Sequence, residues 1–194
     1  MGTINLKRAI IILLMIGILA VVSGCARWPD GPGPGPGPGE TDYQLEITVE
    51  VSGLINSSEG IYYIVMDADG NPGNGPGDDI SFWDDRFYYI KLEDGFFDFA
   101  QVEEGSPELD LTDYSVIGNE LQATVTLSDL GSPSGIDINV ITTDSDNNTY
   151  DHLDSYLTIN TELGSTEEGI VSGGDTGGED FDITKVTAEI IILY

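Results

Sequence analysis

The chain from residue 41 onward predicts an all-β domain, an antiparallel β-sandwich of jelly-roll or immunoglobulin-like type with about nine strands. Three observations predict it. Apolar and polar residues alternate with period two in one segment after another. Dipeptides suited to tight hairpins, Asp94-Gly95 and Gly118-Asn119, separate such segments. After residue 25, no apolar stripe at helical spacing runs over three turns.

The first strand, Tyr43 to Val51, places Leu45, Ile47, Val49 and Val51 on one face and polar residues on the other. Ile61 to Met66 is apolar throughout, as a central strand should be. A type I′ turn at Asp94-Gly95 sets Glu93 opposite Phe96, Leu92 opposite Phe97, Lys91 opposite Asp98 and Ile90 opposite Phe99. Lys91 and Asp98 then meet as an ion pair on the face away from Ile90 and Leu92. Gly118-Asn119 repeats the device, setting Val116 against Leu121 and Tyr114 against Ala123. Leu121, Ala123, Val125 and Leu127 line the core, with Gln122, Thr124 and Thr126 outside.

Ser128 to Gly131 forms a capped turn, followed by the breaker Pro133. The next strand turns Ile136, Ile138 and Val140 inward and Asp137 and Asn139 outward, and Leu153 to Ile159 makes a further strand. Residues 161–180, rich in Gly, Glu, Ser and Thr, have no periodicity and are expected to form a mobile loop. Ile183 to Leu193 is β-rich and is expected to pair inside the sheet, beside the first strand.

The N-terminus has the parts of an export signal: Lys7 and Arg8, the uncharged run Ala9 to Val22, then small residues before Cys25. At 14 residues that run is shorter than the roughly 20 a membrane span requires. Val22-Ser23-Gly24-Cys25 resembles the lipobox of bacterial lipoproteins. The resemblance implies removal of residues 1–24, a diacylglycerol on the Cys25 thiol, and a stable membrane anchor outside the cytoplasm, at the cell surface or the periplasmic face. Ala26 lacks the aspartate that retains many such proteins in the inner membrane, so an outer-membrane address is permitted. Residues 25–40 hold alternating Gly and Pro, which fix every second φ and offer no packing face, and so form a tether before the domain at 41–194.

Charge narrows the partners. With Lys7 and Arg8 removed, Arg27, Arg86, Lys91 and Lys185 stand against 35 acids, a formal charge of −31. Such a chain repels nucleic acid and requires salt or divalent cations to offset its own field. The single cysteine is taken up by lipid if the lipobox resemblance holds, and packing, with or without metal, must then hold the domain together.

One acidic spacing occurs twice after a strand, as Asp67, Asp69, Asn71 and as Asp144, Asp146, Asn148. Alternate oxygen-bearing side chains on a tight loop can converge on calcium, which takes six to eight oxygens at about 2.3–2.6 Å. Asp78 and Asp79 are positioned to close the first site, and Asp151 and Asp154 the second. Pro72 stands where an EF-hand loop requires glycine, Asp78 stands where it requires glutamate, and no helices flank it, so the first loop is not an EF-hand. The competing reading makes both loops Asx-turns on an acidic surface.

Tyr62 to Gly73, the Gly75-Pro76-Gly77 turn and the aromatic strand that follows resemble the DOMON-like and carbohydrate-binding β-sandwiches of exported bacterial proteins. That resemblance implies a sandwich that binds sugar, haem or calcium without catalysis. For a sugar, Trp83, Phe87 and Tyr89 would supply a row of rings and Asp84, Asp85 and Arg86 the hydrogen bonds; the competing reading buries the rings in the core. For haem, Met66 and His152 would be the axial ligands. No nucleophile elbow or phosphate loop is present, and the expectation is a non-catalytic binding module, calcium-stabilised and directed at glycans. The alternative is a structural envelope protein with no specific small ligand.

Overall fold

The computed structural model describes residues 42–71, 73–162, 166–169, 171 and 176–193. The export signal, Cys25 and the Gly-Pro tether lie outside the described residues. Alternation in β1 (Asp42–Val51) turns Leu45, Ile47 and Val49 fully inward. The same period sends alternate residues of β6 (Glu120–Thr126) and β11 (Ile183–Leu193) to the same core, and these strands flank β1 in antiparallel register. The last strand therefore pairs beside the first, as the sequence predicts. With β5 (Asp113–Ile117) and the short β10 (Thr166–Glu168), they form a sheet in the order β10-β11-β1-β6-β5.

The second sheet runs β4-β3-β2-β7-β8, from β4 (Phe96–Gln101), β3 (Tyr88–Glu93), β2 (Ile61–Asp67), β7 (Gly135–Thr143) and β8 (Thr149–His152), and β9 (Leu157–Asn160) also pairs with β7. The two sheets close an all-β sandwich over Tyr62, Ile64, Met66, Ile90, Leu92, Ile138 and Val140 from one side and the β1, β6 and β11 residues from the other. Eleven strands are present among the described residues, against the nine expected. Of the segment Leu153 to Ile159 only the last part is strand, since β9 begins at Leu157; β8, which ends at His152, precedes the segment as a separate strand and also pairs with β7. Likewise 161–180 is not wholly loop: Thr166 to Glu168 pair with Glu189 to Thr187 of β11.

Turn chemistry sets the local registers. Asp94 and Gly95 have φ of 50° and 81°, the two left-handed positions of a type I′ turn, and the β3–β4 register follows as predicted. Lys91 Nζ lies 3.0 Å from both Asp98 and Glu93; partial burial opposes its charge, but the two carboxylates outweigh that and raise its pKa. Half-exposed, the pair contributes at most about 1 kcal/mol. At the β5–β6 hairpin only Gly118 is left-handed, at φ 67°, as in a type II′ turn, and Val116 faces Leu121 as predicted.

β2 and β7 are buried along both faces, and this explains their near-continuous apolar composition. Their inner faces meet the main core. Their outer faces carry a second, smaller cluster of Ile61, Tyr63, Val65 and Ile141, covered by Phe87 and by the 3₁₀ turn Ile80–Phe82 with the following Trp83.

Tyr62 ties the far end of the sandwich together. Its hydroxyl donates to the Asp180 carbonyl at 2.7 Å and accepts from the Asn56 N–H at 2.9 Å, and its ring stacks on Phe181. Burial pushes its pKa up to about 12, against the Asn56 hydrogen bond and with help from the Asp180 charge. The folded chain thus keeps this proton after the unfolded chain has lost it, and stability falls as pH rises from about 10 to about 12. Tyr62→Phe should cost about 1–2 kcal/mol at neutral pH, because both loop groups lose their partner. Urea unfolding across a pH series should also show a shallower alkaline decline than in the wild type.

Candidate functional site

The strand ladder brings two carboxylates together that are far apart in sequence. Asp67 at the end of β2 lies directly opposite Asp137 in β7, and Val65 lies opposite Asn139, so Asp67, Asp137 and Asn139 share the outer face of the second sheet. Sequence alternation places Asp137 and Asn139 outward correctly, but they do not face water: Asp67 and Asp137 are each only 5% exposed and Asn139 only 3%. The chain after β2 folds back over them. Asn139 Nδ2 donates to the Pro76 carbonyl at 3.0 Å. Gly75 passes so close that a Cβ there would stand 2.7 Å from the Tyr156 ring and 2.8 Å from Asp137 Cβ, so only glycine fits.

Each buried group is partly satisfied. Asp67 Oδ1 accepts the Asp69 N–H at 3.0 Å, while its Oδ2 has no hydrogen-bond partner. Asp137 Oδ1 accepts from the Thr158 hydroxyl at 2.5 Å, and its carboxylate also accepts the Gly73 N–H. Burial raises the pKa of both carboxyls; the hydrogen bonds from Asp69 N–H and Thr158 oppose this, and the neighbouring charge of Asp69 adds to it in each. Asp67 and Asp137 line a cavity of about 400 Å³ whose wall also carries Asn71, Ser134, Asn160 and Glu162. Asn139 Oδ1 is a second buried oxygen without a partner, and Asn139 lines a neighbouring hollow of about 350 Å³ with Asp78, His152, Asp154 and Tyr156.

The other predicted ligands behave differently. Asp69 Oδ1 accepts the Asn71 N–H at 2.7 Å and its Oδ2 the Asn74 amide, so this carboxylate builds a turn. Asp79 caps the 3₁₀ turn through the Ser81 N–H, and Asp78 Oδ2 stands 3.6 Å from His152 Nε2. In the second loop Asp144 takes the Asn148 side chain and the N–H groups of Asn148 and Asp146, which hold its pKa low. Asp151, 2% exposed, accepts the N–H groups of His152 and Ile183 and brackets β8 to β11. Among the described residues, no three His, Cys, Asp or Glu side chains are grouped to hold a metal ion. Asp144, which accepts the Asp146 N–H, makes an Asx-turn of the second loop. At the first, the two carboxylates brought together are Asp67 and Asp137, and a cation there would draw its remaining oxygens from amide, hydroxyl, carbonyl or water.

The aromatic row is largely enclosed. Phe87 is 7% exposed, which corrects the expectation that its ring offers a sugar platform. Tyr63 packs edge-on against Trp83 at 5.5 Å and Tyr89 at 6.4 Å, and Trp83 Nε1 donates to the Gly77 carbonyl. These rings hold down the loop that covers the outer face, as the core reading has it. Met66 and His152 lie on opposite faces of one sheet, since Met66 pairs with inward Ile138 and His152 with outward Ile141, so they cannot be axial ligands of one haem.

Sequence reasoning missed Asp137 and Asn139 as members of the site. The available signal was an Asp-x-Asn pair inside an otherwise apolar strand. The fold thus defines a class, a two-sheet antiparallel β-sandwich with a polar, loop-covered patch on one outer face. In comparisons with known proteins the chain matches no family model, no curated protein and no solved structure.

Proposed function

We propose that the chain is a bacterial envelope lipoprotein, anchored by lipid on Cys25, whose acidic β-sandwich is a non-catalytic binding module stabilised by calcium. The observation that carries the calcium part is the Asp67 oxygen, buried and without a partner, on a residue that lines a cavity together with a second buried carboxylate. Removing two carboxylates from water costs several kcal/mol unless a proton or a cation compensates. The nearest guanidinium, Arg86, is forked onto Asp84 at 2.9 and 3.0 Å. A hard cation with oxygen ligands suits the donors present, and calcium tolerates a mixed, partly hydrated set.

Glycan binding is a second reading, supported by another place than the aromatic row. In the hollow beside Asn139, the Tyr156 ring stands with Asp78, His152 and Asp154, a ring flanked by acceptors that suits a hydroxyl-rich ligand.

Three outcomes check these readings. Thermal unfolding in EDTA and in calcium, at fixed high sodium chloride, should show a stabilisation that grows with the logarithm of calcium above Kd, about 2.7 kcal/mol at 100-fold excess, or about 5–10 °C. No shift would leave the acidity as general surface charge and favour a structural envelope protein. On a glycan array the wild type should bind above background and Tyr156→Ala should not; equal signals from both would sink the glycan reading. Cys25→Ala should abolish retention in carbonate-washed membranes, and unchanged retention would mean another anchor.

A further inference from the structure

We infer that one divalent cation of the calcium class is held jointly by the carboxylates of Asp67 and Asp137 at the paired ends of β2 and β7, not by either Asp-x-Asp-x-Asn loop alone. This rests on the calcium reading above and names its ligands.

The argument begins with register. Residues directly opposite in an antiparallel ladder have Cα atoms about 4.5–5.5 Å apart, so two aspartates there project side by side from one face. Both are nine-tenths buried or more, and both line the same cavity. The oxygen accounting then separates Asp67 from the rest of the acidic surface, while Asp137, which accepts from the Thr158 hydroxyl and the Gly73 N–H, adds the second buried charge. Asp69, Asp79 and Asp144 spend carboxylate oxygens on nearby N–H groups, as turn residues do. Asp67 spends only Oδ1 in that way and leaves Oδ2 enclosed and unpartnered.

A buried unpaired carboxylate oxygen is among the costliest polar groups a fold can retain. A neutral hydrogen-bond donor in the cavity would ease one oxygen and leave both charges. A divalent cation neutralises both at once. The wall supplies further neutral oxygens from Asn71 and Ser134, and the space is ample for bound water. Two carboxylates with neutral oxygens and water make a site of modest affinity, in the range of extracellular calcium modules, roughly 10⁻⁴–10⁻³ M.

Calcium titration of the detergent-solubilised mature protein by isothermal calorimetry, at fixed high sodium chloride, tests the assignment. The wild type should bind one ion per chain. Asp137→Asn and Asp67→Asn, both close in shape to the native residue, should each weaken binding at least tenfold, while Glu104→Gln, on an exposed turn, should not. Should Asp137→Asn fail to fold, Asp67→Asn carries the same test. Binding by Asp137→Asn equal to wild type would overturn the assignment and leave the calcium reading standing. A larger loss in Asp146→Asn than in Asp137→Asn would move the ion to the second loop and also overturn it. No calcium binding by the wild type would overturn both.

Discussion

A sheet buried on both faces must find a partner for the polar groups on its second face, because the covering chain cuts them off from bulk water. In this protein that demand falls on β2 and β7. Their inner faces are ordinary sandwich core. Their outer faces are covered by a chain too irregular to be a third layer, the segment from Gly75 to Phe87. Much of that segment's sequence answers to the covering role: Trp83 and Phe87 supply apolar area, Gly75 permits the close crossing, and Asp79 starts the 3₁₀ turn.

The acidity has several separable causes. Part of it is turn chemistry. Asp67, Asp69, Asp79, Asp84 and Asp144 each accept the N–H two residues on, the Asx geometry that ends strands and starts turns. Another part builds long-range brackets, as when Asp151 holds the N–H of Ile183, and Asp180 accepts the Leu54 N–H. Carboxylates used this way are satisfied without metal. The unusual member is Asp67, which begins a turn and yet has its second oxygen sealed in, so charge density alone is a poor guide to a cation site here and oxygen accounting is a better one.

What the sequence disclosed follows the range of the interactions that fix each feature. Hairpin registers were legible because Asp94-Gly95 and Gly118-Asn119 determine them within a few residues. The placement of β11 beside β1 was legible because an apolar strand with its length and alternation requires an interior position. The β2–β7 pairing was not, since two hairpins and several loops intervene between these strands, and no local signal sets Asp67 against Asp137. Nor could alternation tell that the outward face of β7 is covered, because period two reports which face a residue takes and not what lies over it. The short strand β8 was not legible for the same reason: Thr149 to His152 has no apolar alternation, and only its pairing with β7 makes it a strand.

The outer face of β2 and β7 is itself divided in two, and the division bears on what the domain can do. Toward one end, Ile61, Tyr63, Val65 and Ile141 close with Phe87 into a dry cluster. Toward the other, Asp67, Asp137 and Asn139 lie under the same covering chain with two oxygens unpaired. The dry half stabilises the cover whatever the solution contains. The polar half opposes it until something neutralises the carboxylates, because buried charge without a counter-charge costs more than the hydrogen bonds around it return. On the proposed reading, the covering chain is therefore anchored at one end by packing and fastened at the other by an ion. A domain built in this way gains its last increment of stability only where calcium is abundant, which fits a lipid-anchored address outside the cytoplasm.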